Sequence, residues 1–288
     1  MAFELKEEGF KLKDILLVVG IPEATYHYHL KKFGEKDPEK ELKELITHLF
    51  KKFHERYGYK RITKELTKLG HHINHKKVYR IMRELGLKCV KFMRKSRKYN
   101  SYKGTIGKIA KNRLSRRFST PIPLQKLVTD ITEFKCLGEE KLYLNPILDL
   151  YNGEIIAFGI KKRPTLDLVM EPLKETIEVI KNHAPYRTTI HSDQGWHYQH
   201  NQWVMTLEEN NIFQSMSRKA TCADNASMEN FFGILKQEMY YGEKLVNYEE
   251  LKRRIEEYIY WFNHERSKEK LTGMSPVEYR THSSQLAA

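Results

Sequence analysis

The sequence predicts an α/β protein: a mixed five-stranded sheet with flanking helices, preceded by all-α helix-turn-helix modules. Three observations carry that expectation. Between residues 124 and 236, short β-branched runs alternate with stretches of helical periodicity, the pattern of strands interleaved with helices. Residues 38–87 space their apolar side chains three or four apart, as amphipathic helices do. Charge is also segregated: positions 1–118 hold 31 Lys+Arg against 13 Asp+Glu, and positions 119–288 hold 20 against 24. The net charge of +14 therefore sits on the helical portion, which points to a polyanionic partner such as nucleic acid.

Composition excludes other classes. The chain has 288 residues, 40% hydrophobic and 31% charged, enough for two domains with a core of useful size. It has no apolar run long enough for a transmembrane helix. Its first residues, M-A-F-E-L-K-E-E, lack the apolar centre of a signal peptide. Cys89, Cys136 and Cys222 are scattered and odd in number, which fits free thiols in a reducing cytoplasm. No C-x-x-C occurs, so a zinc module is not expected.

Taken in order, residues 10–34 read as an apolar helix ending at Gly20 and a second helix starting near Pro22, where proline suits a first turn. This stretch alone fits a helix-turn-helix and a plain helical hairpin equally. Next comes a helix from 39 to about 56, with Leu42, Leu45, Ile46, Leu49, Phe50 and Phe53 on its apolar face. A helix closed by Gly70 follows, and then one over 75–85 that Asn74 caps and Gly86 ends. His75, Lys76, Lys77 and Arg80 lie in its first turns, where a recognition helix meets a groove.

From Leu85 to Thr129 there is no acid, against 13 Lys+Arg. This basic stretch reads as a linker that tracks phosphates. Arg94, Lys95, Arg97, Lys98, Arg116 and Arg117 are its candidate DNA contacts.

Three strands are expected over 124–134, 141–151 and 154–161, with the Asn152-Gly153 hairpin signal between the last two. Then come a helix over 166–183, a strand over 188–191, a helix over 201–210, a strand over 212–215 and a helix carrying Glu229. Three antiparallel strands followed by α, β, α, β, α is the RNase H-like order. Asp130 falls within the first strand and Asp193 just past the fourth. Three converging carboxylates repel one another unless cations neutralise them. Hard oxygen donors suit Mg²⁺ or Mn²⁺, and two such ions can clamp an in-line phosphoryl displacement. Any one of these acids alone could equally cap an element and face water. Asp149 is a rival acid, taken as structural or peripheral. Gly233 and Lys236 share the Glu229 face at i+4 and i+7, so Lys236 is a candidate phosphate contact. Arg218 and Lys219 precede a short loop and could grip a DNA strand. Asp224 and Asn225 fit a cap for the Glu229 helix.

Asp130, Asp193 and Glu229, with 35 residues between the last two, resemble the D-D-E triad of retroviral-type integrases and transposases. The flanking words T-D-I-T at 129–132, H-S-D-Q-G at 191–195, S-M-S-R-K at 215–219 and D-N-A-S-M-E-N-F-F-G-I-L-K at 224–236 resemble the OrfB transposases of the insertion sequence 3 family. The resemblance covers nearly the whole chain. It implies that the three acids are both catalytic residues and ligands of two Mg²⁺ or Mn²⁺ ions. It implies cleavage of element ends to expose a 3′-OH, then attack of that hydroxyl on another phosphodiester. The implied partners are terminal inverted repeats, target DNA, further copies of the chain and an upstream-frame OrfA product or fusion.

The expected domains are a short helix-turn-helix-like segment (1–36), a helix-turn-helix DNA-binding domain (37–87), a basic linker (88–120), the catalytic core (121–240) and a C-terminal helix and tail (241–288). Asn263, Arg266 and Leu271 match the family's N-x-x-R-x-H-x-x-L pattern. Lys268 departs from it, as Leu127 and Ala220 depart where tryptophan and glycine are common. Two competing readings are an RNase H-like nuclease without strand transfer and a catalytically dead DNA-binding regulator.

Overall fold

The computed structural model describes residues 2–33, 37–89, 109–138, 140–218 and 222–287. The chain divides into two compact units, 1–88 and 89–288. No helix among the described residues is long and apolar enough to cross a membrane.

The first unit is all-α, as its periodicity predicts. Helices α1 (Ala2–Glu7), α2 (Leu12–Val19) and α3 (Glu23–Phe33) precede α4 (Lys40–Lys52), α5 (Tyr59–Lys68) and α6 (His75–Glu84). Gly20 closes α2 in a left-handed conformation, its N–H donating to the Leu16 carbonyl. The last three helices bury Ile46, Phe50, Ile62, Leu66, Val78 and Ile81 against one another. Asn74 caps α6, its side chain accepting from the Lys76 N–H at 2.9 Å. The first of these three helices is shorter than expected. It stops at Lys52 because His54 and Glu55 turn to positive φ, at 52° and 60°.

The second unit holds one mixed sheet, with β1 (Lys126–Thr129), β2 (Thr132–Lys135), β3 (Lys141–Asp149), β4 (Ile155–Lys161), β5 (Thr189–Ser192) and β6 (Phe213–Met216). β3 lies antiparallel to β4, β1 and β2, and β1, β5 and β6 run parallel. The strand expected over 124–134 is thus two strands in one register, Thr129 facing Ile147 and Thr132 facing Leu144. Continuing that register sets Asp130 opposite Pro146. Proline has no N–H to give the ladder, so pairing lapses there and Asp130 stands at a break rather than inside a strand.

Helices cover both faces, as alternation along the strands requires. Leu127, Ile147 and Ile190 point to one face. There they pack with α7 (Asp167–His183) and α9 (Asn201–Glu209), which follows the short α8 (Trp196–Gln199). Val128, Leu144 and Leu148 point to the other, against α10 (Ala226–Met239) and α11 (Tyr248–His264). Each large side chain buried here contributes roughly 1.5–3 kcal/mol. Gly159 of β4 permits the close approach of α7, since a Cβ there would lie 2.3 Å from the Leu168 carbonyl oxygen.

A C-terminal helix, α12 (Pro276–Ala287), was not expected from the sequence. Its Arg280 pairs with buried Glu154 at 2.8 Å, and Asn152 of the hairpin turn donates to the Pro276 carbonyl at 2.9 Å.

Candidate active site

The site follows from strand register. β1 and β5 are adjacent parallel strands, with Val128 beside His191. Two residues further along each, on the same face by alternation, stand Asp130 and Asp193. Adjacent strands lie about 4.8 Å apart, so the two carboxylates emerge side by side at the carboxyl ends of parallel strands, where α/β sheets bind ligands. The face they share is the one covered by α10. That helix starts at Ala226 and places Glu229 in its first turn, exposed to solvent.

Both aspartates are oriented by backbone. Asp130 Oδ1 accepts from the Ile131 N–H at 2.8 Å, and Asp193 Oδ1 from the Gly195 N–H at 2.8 Å. A Cβ on Gly195 would come within 2.9 Å of that same Asp193 oxygen, so glycine leaves the carboxylate its position. Burial pushes the Asp130 carboxyl well above the usual carboxylate range, and the charges of Asp193 and Glu229 push it further. Burial also raises the carboxyl of Asp193, and partial loss of solvent raises that of the exposed Glu229.

Among the described residues, no lysine or arginine forms an ion pair with any of the three. Nor do three His, Cys, Asp or Glu side chains stand close enough together to form a metal cluster. The preformed part is therefore the Asp130 and Asp193 pair, with Glu229 approaching from the helix. Half-buried oxygen donors of like charge, with no cationic side chain paired to them among the described residues, fit a hard divalent cation.

The motif words have structural partners. In T-D-I-T, Thr129 Oγ1 and the Asp130 carbonyl accept from the buried Asn145 amide at 2.8 and 3.0 Å, and Asn145 also meets the Tyr198 hydroxyl at 2.8 Å. This bond supplies the Asp130 carbonyl where the ladder lapses. Thr132 Oγ1 accepts from Lys236 Nζ at 2.6 Å, and that ammonium lies 4.9 Å from the Phe134 ring. Lys236 is thus engaged with β2, and a phosphate contact would compete with that bond. Gly233 has open space where a Cβ would stand.

His191 is buried, with Nδ1 at 2.8 Å from Ser215 Oγ and Nε2 at 2.9 Å from the Asp224 carbonyl. Burial lowers its pKa, so it serves as a neutral strut. Ser215 Oγ also accepts from the Arg113 N–H at 2.9 Å, stitching the segment before β1 to β6.

The expected cap of the Glu229 helix is not formed. Asp224 and Asn225 do not cap α10, whose N-terminal residue makes no side-chain cap bond. Asp224 instead collects Arg218 at 2.8 Å and Arg116 at 3.0 Å, with Asn112 at 3.0 Å. Arg218 foremost, with Arg116, holds its carboxyl well below the usual range. Both arginines stay about half exposed, at 60% and 52%. The Asn225 amide donates to Asp130 Oδ2 at 3.0 Å. Its spacing of four from Glu229 puts both on one helical face, a signal the sequence does carry. Asp149 is structural, as expected. It is buried at the end of β3 opposite Leu127, accepts from the N–H groups of Leu124 and Tyr151, and burial raises its pKa to about 6.

The other DNA-contact candidates divide. Arg117 donates to the Leu114 and Arg113 carbonyls. In the helical unit, Lys77 and Arg80 both pair with Glu39, at 3.0 and 2.7 Å, while His75 and Lys76 are exposed. Arg94, Lys95, Arg97, Lys98 and Lys219 lie outside the described residues.

Comparison with known proteins agrees with this architecture. Residues 120–222 and 229–283 match integrase core domain families, and residues 37–96 match an HTH-like domain. An uncharacterized transposase-like protein of Haemophilus influenzae is 49% identical over 213 residues, covering 73% of this chain and 94% of that protein. The chain is 40% identical over 271 residues to the protein assigned as InsK transposase of insertion sequence element IS150 in Escherichia coli K12, covering 94% of each. It is 30% identical over 233 residues to transposase InsF of insertion sequence IS3A from the same organism, covering 80% of this chain and 78% of that one. Among solved structures, the HTLV-2 integrase catalytic core domain in complex with magnesium superposes with a TM-score of 0.41 at 17% identity, covering 55% of this chain and 97% of that one.

Proposed function

The chain belongs to the insertion sequence 3 family of transposases, and on that premise we propose that Asp130, Asp193 and Glu229 form its D-D-E centre. In this reading the enzyme cleaves DNA at element ends to expose a 3′-OH and directs that hydroxyl at a second phosphodiester. The observation that carries the reading is the placement of Asp130 and Asp193 at the ends of adjacent parallel strands, on the face where α10 delivers Glu229. These three side chains would hold two Mg²⁺ or Mn²⁺ ions, which when bound polarise the attacking oxygen and stabilise the leaving one. The protein's own part is to hold the carboxylates in place and to orient the strands. Arg116 and Arg218, fixed by Asp224 yet half exposed, are placed to hold phosphates beside the centre. Joining two ends requires both in one complex, so we place the protein on DNA as a homo-oligomer, with or without an upstream-frame product.

The test is an assay on the element's own ends with Mg²⁺, using a pre-cut 3′-OH duplex alongside an uncut one. Joined products are expected from the pre-cut duplex. Cleavage of the uncut duplex with no joining from either would assign a nuclease instead.

DNA binding should weaken steeply with salt, because released counterions set log K against log salt with a slope of about −0.9 per phosphate neutralised. Replacing exposed Lys76 by alanine should make that slope shallower by about 0.9 if it meets a phosphate. A salt titration by fluorescence anisotropy with an unchanged slope would remove Lys76 from the interface.

Gly233 supplies a second check. A helix-interior glycine with open space at its Cβ should gain roughly 0.5–1 kcal/mol on replacement by alanine. Gly233→Ala is therefore expected to raise the melting temperature. If the space is kept for a DNA backbone, the same variant should cleave more slowly. Normal cleavage by the stabilised variant would show that the space is not needed for DNA.

A further inference from the structure

We propose that Asn225 is a positioning residue for the reaction, holding Asp130 in place for its ion and presenting its own carbonyl oxygen to a water that enters the cleft. The proposal rests on the D-D-E reading above. Asn225 is 5% exposed, and its Nδ2 donates to Asp130 Oδ2 at 3.0 Å. With Ile131 N–H on the other oxygen, each carboxylate oxygen of Asp130 is fixed by one donor. A carboxylate offers about four acceptor positions, so this leaves lone pairs for a cation.

The second observation is independent of the first. Asn225 Oδ1 is buried and has no hydrogen-bond partner among the described residues. A buried acceptor without a partner is costly, and this one belongs to the same planar amide that touches Asp130. A water in the cleft would satisfy it.

The residue is also held from behind. The Asp224 carbonyl just before it accepts from His191 Nε2 at 2.9 Å, and the Asp224 carboxylate holds Arg116 and Arg218. Asn225 therefore ties the start of the Glu229 helix to the end of β1. It fixes the spacing between two of the three carboxylates without being a ligand itself. Groups that orient ligands in this way typically contribute 10- to 100-fold in metal affinity or activity.

The experiment uses the full chain with Asn225→Ala, Asn225→Asp and Asp130→Ala. Mn²⁺ binding is read from the free-ion signal by electron paramagnetic resonance without DNA, and single-turnover cleavage is followed against Mg²⁺ and against DNA. For Asn225→Ala, Mn²⁺ should bind roughly 10-fold more weakly. The Mg²⁺ needed for half-maximal cleavage should rise by a similar factor, and the DNA needed should stay within about twofold. Asn225→Asp keeps the shape of the side chain and replaces the donor with an acceptor. It should cleave at least about 10-fold more slowly even where its added charge preserves Mn²⁺ affinity. Wild-type cleavage by Asn225→Asp would overturn the proposal, whether or not Asn225→Ala folds. So would unchanged Mn²⁺ binding together with unchanged cleavage in Asn225→Ala. Asp130→Ala separates the two levels: if it bound Mn²⁺ as the wild type does, the D-D-E assignment itself would fall.

Discussion

Asp130→Ala, Asp193→Ala and Glu229→Ala are each expected to abolish cleavage while binding element ends normally. In the proposed centre their carboxylates would share a pair of ions, so loss of any one would remove a ligand from both. Metal stabilisation of the developing charge is worth several kcal/mol, and at about 1.4 kcal/mol per decade the loss is about 10³-fold or more. End binding should survive because the positive charge lies elsewhere, with 31 Lys+Arg against 13 Asp+Glu in positions 1–118. Gel shift and nicking assays on the same preparations measure both quantities. Near-normal nicking by one variant would remove that residue from the centre. The expected effects are non-additive: a double variant should be no worse than the weaker single one, as for residues that act as a unit.

The second large effect concerns stability. Glu238 of α10 is fully buried and takes Arg266 at 2.6 Å, with the Tyr258 hydroxyl donating to its other oxygen at 2.7 Å. Arg266 is 4% exposed. Three segments meet at this pair: α10, α11 and the turn after α11. Replacing Glu238 by alanine would take the carboxylate away from the buried Arg266 charge, and breaking a buried pair costs about 3–5 kcal/mol. That is a large share of the 5–15 kcal/mol typical of a whole domain. Chemical denaturation of Glu238→Ala is expected to show a loss of this size. The double variant Glu238→Met with Arg266→Leu should recover much of it, because two apolar side chains leave no unpaired charge. A loss under about 1 kcal/mol in the single variant would mean that the pair is hydrated.

This pair also explains wording that the sequence displays without a reason. In N-x-x-R, Asn263 gives both of its amide groups to the backbone of Ile155, accepting from N–H at 3.0 Å and donating to the carbonyl at 2.9 Å. Arg266 then reaches Glu238. The motif docks α11 on β4 and locks α10, and with it Glu229, against the sheet. Lys268, where the family pattern has histidine, donates to the Gly153 carbonyl at 3.0 Å and lies 4.2 Å from the Phe262 ring. Burial foremost, with the Arg266 charge, pushes its pKa down to about 7. The departure is thus accommodated on the β3–β4 turn, in contact with neither Asp130 nor Asp193.

Much of the architecture is legible from local signals. The Asn152-Gly153 turn, the α7 periodicity and the β-branched runs of β5 and β6 each depend on residues near in sequence, and each element lies within two residues of its expected bounds. The three acids stand out in the sequence because spacing and flanking words coincide. What escapes is decided by distant partners. The break at Asp130 is imposed by Pro146 on another strand. Asp224 reads as a cap because caps are local, whereas Arg116 lies 108 residues away. Lys236 has the helical spacing of a phosphate contact, and only the fold brings Thr132 beneath it. Asn225 lies between these cases: its place relative to Glu229 is local, while its bond to Asp130 spans 95 residues.

In the proposed centre Asp193 ligates a divalent cation that cleavage requires. Asp193→Cys replaces a hard oxygen with a soft thiolate, which disfavours Mg²⁺ more than Mn²⁺. Cleavage of element ends by this variant, measured in each metal at matched DNA binding, tests the claim directly. No cleavage is expected in Mg²⁺ and partial recovery in Mn²⁺, with the wild type active in both. Cleavage by Asp193→Cys in Mg²⁺ at the wild-type rate would contradict it.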